Sequence, residues 1–136
     1  MLIGHQKIWN FLTQSAQRQK LAHAYLFYGP PQVGKGTLAL EFAKWLLCEN
    51  KEAGAKHNVS PCGQCRACSD IKKNQHPDVF ILRPREEEKK GVIKTHEIGI
   101  DKINDLLHQL SLSAYSANYK IAIIDGADWL TREAAN

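Results

Sequence analysis

The sequence has no long apolar run. Its longest uninterrupted apolar stretches are about five residues, far short of the roughly 20 that a membrane-spanning helix needs. It also lacks a basic N-terminal segment followed by an apolar core, so Met1-Leu-Ile-Gly-His-Gln-Lys7 is not a secretory signal. The expected location is therefore the cytoplasm. A large excess of charge is missing too: a net charge of +4 permits nucleic-acid binding but does not argue for it. There is no internal repeat and no low-complexity tract, which excludes solenoids and disordered linkers. At 136 residues the chain is long enough for one core and short for two. Cysteine is absent except in one window. All four fall between residues 48 and 68, and in a reducing compartment such clustering favours a metal over disulfides.

What is present is organised around Gly29-Pro-Pro-Gln-Val-Gly-Lys-Gly-Thr37. It follows the apolar run Ala24-Tyr-Leu-Phe-Tyr28 and opens the periodic segment Leu38–Leu47, the strand, Gly-rich loop and helix context of a P-loop. Backbone N–H groups of the loop and of the helix start converge on an anion, and a lysine adds a full charge. Gly29 and Gly34 allow the tight turns, and Lys35 is placed to reach the β/γ-phosphates. The candidate nucleotide-binding residues are Gly29, Pro30, Pro31, Gln32, Val33, Gly34, Lys35, Gly36 and Thr37, with Asp125 as the acid ending a later strand. The competing readings are a Gly-rich turn with an incidental lysine, and for Asp125 a simple helix-start cap. Two catalytic parts are missing. Gly36 stands where a Ser or Thr hydroxyl would bind Mg²⁺, and Thr37 is one residue late, a rotation of about 100° along a helix. Gly126 stands where a water-activating Glu would follow the acid. General-base catalysis is worth roughly 10²–10⁴-fold, so this pattern predicts binding without hydrolysis and no catalytic residue.

Periodicity predicts further elements. An amphipathic helix is expected over 3–18, with Ile8, Trp9, Leu12 and Ala16 on one face. A strand buried on both faces is expected at Ala24–Tyr28. The loop helix should run from Lys35 to Leu47, with Leu38, Phe42 and Trp45/Leu46 inward and Glu41 and Lys44 outward. A polar loop covers 49–61, and a short helix follows Cys68 to about Asn74. Val79–Leu82 is the second strand, and Arg83–Gly91 a solvated loop or hairpin tip. Asp101 is a plausible N-cap for a helix with Ile103, Leu106, Leu107 and Leu110 on one stripe. Ser113–Asn118 reads as a turn and Lys120–Asp125 as the third strand. Thr131 starts a last helix with no completed stripe, which leads us to expect a piece of a longer protein.

Cys62, Cys65 and Cys68 form C-x₂-C-x₂-C, and Cys48 sits fourteen residues earlier at a helix end. Four thiolates at these spacings suit a tetrahedral structural Zn²⁺ with no open position. An Fe–S cluster uses the same spacing, and free thiols are the third possibility. His57 and His76 are within sequence reach but read as ordinary surface or capping histidines.

These two sites in this order resemble the AAA+ clamp-loader subunits of bacterial DNA polymerase III. The words that carry the resemblance are Ile3-Gly-His-Gln6, His23-Ala-Tyr-Leu-Phe27, Leu46-Leu-Cys48, Pro61-Cys-Gly-Gln-Cys-Arg-Ala-Cys68, His76-Pro-Asp78, Tyr119-Lys-Ile-Ala-Ile-Ile-Asp125 and Leu130-Thr-Arg-Glu-Ala-Ala-Asn136. They cover essentially the whole chain. The resemblance implies an α/β fold: a RecA-like AAA+ P-loop domain of strand order 5-1-4-3-2, truncated, with three parallel strands visible and a Cys₄ zinc insertion over 48–74. Residues 1–136 would be its N-terminal part, with lid and collar domains outside the chain. In that order the first and third strands are not neighbours without a fourth, so the sheet of this chain alone is expected to have a gap.

Two branches share the pattern. The gamma/tau branch is the ATPase, and carries Thr or Ser after the P-loop lysine and Glu after the strand-end Asp. Gly36, Gly126, His76-Pro-Asp78 and the Cys48-to-Cys62 step look more like the delta-prime branch, a stator without ATP hydrolysis. The resemblance then implies a non-catalytic component of the polymerase holoenzyme that helps load the sliding clamp on primed DNA. Its partners would be gamma/tau and delta subunits, its metal Zn²⁺, and its possible ligand ATP or ADP with the Mg²⁺ grip weakened. An arginine finger would lie beyond Asn136. A zinc-stabilised nucleic-acid module, suggested by Arg66, Lys72 and Lys73, is a third reading.

Overall fold

The computed structural model describes residues 4–50, 60–89, 91–115 and 118–136. The chain divides into two compact units, Met1–His76 and Pro77–Asn136.

The first unit is helical. Helix α1 spans Gln6–Gln17, α2 spans Lys35–Leu47 and α3 spans Arg66–Lys72. The buried stripe of α1 is Trp9, Leu12 and Thr13. Ile8, expected inward, is 42% exposed, because the stripe is centred one residue later. Trp9, Leu12, Leu38 and Phe42 form the core between α1 and α2, with Ala16, Leu21, Tyr25, Phe27, Trp45 and Leu46 against it. Trp9 meets Phe42 edge-on at 6.3 Å and Phe42 stacks on Trp45 at 6.1 Å. Fully burying a side chain such as Leu12 contributes about 1.5–3 kcal/mol. Thr13 is buried with its hydroxyl donating to the Trp9 carbonyl, so its polarity is satisfied within the helix. Helix α2 has the expected limits, but Glu41 and Lys44 do not point freely outward. Their side chains are 16% and 13% exposed and pair at 2.7 Å.

The expected strand Ala24–Tyr28 is not a strand. It pairs with no described residue in a ladder, and Leu26 and Tyr28 are 80% and 89% exposed. An apolar β-prone run becomes a strand only when a neighbour supplies hydrogen-bond partners, and no described segment does so.

The second unit carries two small sheets. Strand β1 (Val79–Leu82) pairs in parallel with β4 (Ile121–Ile124), Val79 opposite Ile121 and Leu82 opposite Ile124. These are the second and third expected strands, and they are direct neighbours. Two parallel strands are therefore found among the described residues, not three. Within Arg83–Gly91, expected as a solvated loop or hairpin tip, Arg85–Lys89 forms strand β2, which pairs antiparallel with β3 (Val92–His96). Gly91 takes φ 76°, the left-handed conformation that tight hairpin turns require.

Helix α4 spans Ile100–Ser111 and is capped by Gly99 rather than Asp101, which lies in the first turn. There its charge still favours the helix dipole. The stripe Ile103, Leu106 and Leu110 is only half-buried and Leu107 is 57% exposed. Ala127–Trp129 forms a 3₁₀ turn and α5 spans Arg132–Ala135. Thr131 caps α5 as expected, its hydroxyl accepting from the Ala134 N–H at 3.2 Å. Among the described residues no helix is long and apolar enough to cross a membrane.

Candidate metal centre and phosphate loop

Three local features bring the cysteines together. Helix α2 stops at Cys48, whose extended ψ of 125° turns the chain out of the helix. Gly63, at φ 71°, makes the turn between Cys62 and Cys65. Cys65 then caps α3, its sulfur accepting from the Cys68 N–H at 3.4 Å. The result is four sulfurs all within 4.8 Å of one another. A tetrahedral ion with Zn–S bonds of about 2.3 Å holds its sulfurs about 3.8 Å apart, and Cys48 and Cys65 are already at 4.0 Å.

The surroundings suit thiolates. Backbone N–H groups of Gln64 and Cys65 donate to the Cys62 sulfur at 3.5 and 3.3 Å, and the Cys62 N–H donates to the Cys48 sulfur at 3.5 Å. These amides, Gln64 first, draw the Cys62 thiol down to about 6. Burial pushes Cys48 and Cys68 the other way, above the ordinary 9.0. Two thiols that burial keeps protonated, beside one that amides ionise, form a set that a dication would complete by displacing protons. The four cysteines can hold a metal ion such as zinc. Asn50, overlooked in the sequence, joins them: its side-chain amide donates to the Cys62 sulfur at 3.6 Å. Only its closeness to Cys48 in the chain hinted at this. His76 is buried and outside this cluster, and His57 lies outside the described residues. Arg66 and Lys72 on α3 and Lys73 at its C-cap are exposed, Arg66 pairing loosely with Asp70 at 3.6 Å.

The Gly29–Thr37 loop joins the extended segment 24–28 to α2. Gly29, Gln32 and Gly34 have φ of 149°, 62° and 89°. Gly34 caps α2, and the first helical bond is Leu38 N–H to the Gly34 carbonyl at 2.9 Å. The amides of residues 34–37 therefore lack helical acceptors, as at every helix start. Lys35 folds back, its ammonium donating to the Gly29 carbonyl at 3.0 Å and the Pro30 carbonyl at 2.7 Å. An ammonium has three hydrogens, so one stays available at the loop. Gly36 offers no side chain, and Thr37 is exposed. His5 also reaches the loop: its Nε2 lies 2.6 Å from the Val33 carbonyl.

Asp125 belongs to the second unit, just past β4. Its N–H donates to the Leu82 carbonyl at 2.9 Å, and its carboxylate pairs with Arg83 at 3.1 Å. Gly126 takes φ 97°, and a Cβ there would lie 3.2 Å from Pro84 Cδ and 3.3 Å from Trp129 Cδ1. Arg83 did not stand out in the sequence, and His5 did so only as part of the word Ile3-Gly-His-Gln6, with no role attached. Arg83 becomes visible only once the parallel register sets Leu82 beside Ile124.

Comparison with known proteins gives a consistent result. A family model described as "DNA polymerase III, delta subunit" matches residues 4–136. The chain is 35% identical over 131 residues to the DNA polymerase III subunit delta' of Pseudomonas aeruginosa, covering 96% of this chain and 35% of that protein. It is 33% identical over 130 residues to the subunit delta' of Bacillus subtilis, covering 96% and 35%. It is also 29% identical over 135 residues to the B. subtilis subunit tau, covering 99% of this chain and 21% of that protein. The chain thus spans about a third of the length of the delta' relatives it matches.

Proposed function

This chain belongs to the DNA polymerase III delta-subunit family, and from that premise we propose that it is part of a stator-like clamp-loader subunit. In this reading the protein works with gamma/tau and delta subunits to place the sliding clamp on primed DNA in the cytoplasm, without hydrolysing ATP itself. The chain is the N-terminal portion of a RecA-like AAA+ domain whose lid and collar lie in the rest of the protein.

The observation that carries the reading is the composition of the loop. Gly29, Gly34 and the ammonium of Lys35, braced on two carbonyls, supply a phosphate cradle. Gly36 supplies no metal ligand. We read Gly29–Thr37 as able to hold the phosphates of ATP or ADP weakly and with little help from Mg²⁺. Asp125, which follows β4 in the second unit, pairs with Arg83, and this supports a role other than metal capture. Gly126 provides no general base. The four cysteines hold a structural Zn²⁺ that fixes the end of α2 and α3, with thiolate charge balanced by the ion and the surrounding amides.

The likeness to a tau subunit favours a second reading, an ATP-hydrolysing gamma/tau-type subunit. Reconstitution separates the two. A loader assembled with the Lys35→Ala form of this protein should still load clamps at the normal rate if the chain is a stator. Loss of loading with intact assembly would favour the motor.

A further inference from the structure

We infer that His5 is a positioning residue of the phosphate loop, setting the direction of the Gly34 N–H. This inference rests on the phosphate-loop reading above and adds a residue from outside the loop to it.

His5 has two separate attachments. Its carbonyl accepts the Trp9 N–H at 2.9 Å and so starts α1, while its ring reaches 28 residues along the chain to the Val33 carbonyl. A carbonyl only accepts, so Nε2 carries the proton and donates. His5 holds φ 53°, a left-handed conformation that costs a non-glycine residue about 1–2 kcal/mol. Such conformations persist only where the surroundings fix them. The packing of α1 on α2 through Trp9, Leu12, Leu38 and Phe42 provides that anchor.

The effect follows from peptide geometry. The Val33–Gly34 bond is trans, as are all described peptide bonds, so the Val33 C=O and the Gly34 N–H point in opposite directions. With the carbonyl held on the His5 side, the N–H faces away from His5. It lies next to the Lys35, Gly36 and Thr37 amides that the helix leaves without acceptors. A flip of this peptide would turn the carbonyl, a negative dipole, towards a bound phosphate. Glycine at 34 makes such a flip easy, since its backbone tolerates both hands. The imidazole bond opposes it. A Cβ at Gly34 would lie 3.9 Å from His5 Nε2, so the ring sits directly beside the peptide it orients.

The test uses inorganic pyrophosphate, titrated by calorimetry into the intact protein, with ¹⁵N and ¹³C′ shifts of Gly34 and Val33 read in parallel. His5→Ala should weaken pyrophosphate about tenfold, the loss of a hydrogen bond to a charged group. His5→Gln, which keeps an N–H donor, should recover most of it. Zinc content and the thermal midpoint should be the same in both variants, showing that the fold survives. Wild-type affinity in His5→Ala overturns the inference, as does a Gln variant no better than Ala. If neither the wild type nor Lys35→Ala binds pyrophosphate, the phosphate-loop reading fails. The His5 contact is then judged on the ligand-free shifts: Val33 ¹³C′ unchanged by His5→Ala overturns it, and an upfield move supports the contact alone.

Discussion

Arg83 and Asp125 face each other across the carboxyl ends of two parallel strands, with Arg83 Nε 3.1 Å from Asp125 Oδ2. The pairing follows from register. Leu82 is opposite Ile124, so the next residue on each strand emerges at the same edge. The pair is partly exposed, 59% and 40% at the two side chains, and such pairs contribute about 0.2–1 kcal/mol. Arg83→Ala should therefore lower the urea midpoint only slightly in dilute buffer. The difference should vanish near 1 M salt, where the Debye length is about 3 Å. A loss that persists in high salt would mean that Arg83 acts through packing.

Gly126 is a more costly position to change. Its φ of 97° is left-handed, and a Cβ would meet Pro84 at 3.2 Å. Gly126→Glu should destabilise the protein by about 1–2 kcal/mol from backbone conformation alone, with further loss from the contact. Adding Pro84→Ala should recover the Pro84 part of the contact and leave the Trp129 contact at 3.3 Å and the conformational part. Restoring the acid of an ATPase thus needs more than one substitution, and the pair Gly36→Thr with Gly126→Glu should lower the chemical denaturation midpoint before it creates turnover. An unchanged midpoint in Gly126→Glu would contradict this.

The two positions show what the sequence could and could not reveal. The limits of α2 were legible because a Gly-rich start, an apolar period of 3.6 and a cysteine stop are local signals. The cysteine cluster was legible because spacing along a turn fixes which sulfurs can converge. Ala24–Tyr28 misled because its apolar pattern describes a surface that a strand could bury, while strand formation depends on a neighbour. The ribbon 85–96 was hidden by its charge: Glu86, Glu88 and Lys94 are poor strand formers, held by cross-strand pairing with Thr95, Ile93 and Glu87 rather than by propensity. The Arg83–Asp125 pair and the His5–Val33 bond join residues 42 and 28 positions apart, and no local pattern encodes such contacts.

Within that ribbon, Glu87 lies 2.9 Å from Lys89 and 3.3 Å from His96. Lys89 first, then His96, hold its carboxyl below the ordinary 4.5. A carboxyl lowered in the folded state stabilises above its unfolded pKa, and the gain is lost as pH falls through the folded value. The ribbon should therefore loosen on acidification below about pH 4.5, seen as reduced protection of the Glu88 and Ile93 amides relative to their intrinsic exchange rates. Glu87→Gln, which lacks the carboxylate at every pH, should flatten that acid response and lower neutral-pH protection slightly, towards the acid-loosened level.

Metal occupancy has its own pH dependence. Burial raises the Cys48 and Cys68 thiols, so a bound ion must displace protons held more tightly than usual. Zinc affinity should fall steadily as pH drops from 8 to 6, and Cys68→Ser should reduce bound zinc from about one equivalent to a small fraction. Chelation should release the α3 segment, lowering the protection of the Ile71 amide. Full protection after chelation, with zinc absent by elemental analysis, would show that the cluster folds without metal.

The most direct test of a non-hydrolysing phosphate loop is the release of inorganic phosphate from Mg²⁺-ATP, measured for the intact protein alone and in a reconstituted loader with primed DNA. The account predicts no release above background from the protein alone, and a loader rate unchanged by Lys35→Ala in this subunit. Steady Mg²⁺-dependent turnover by the protein alone, abolished by Lys35→Ala, would contradict it.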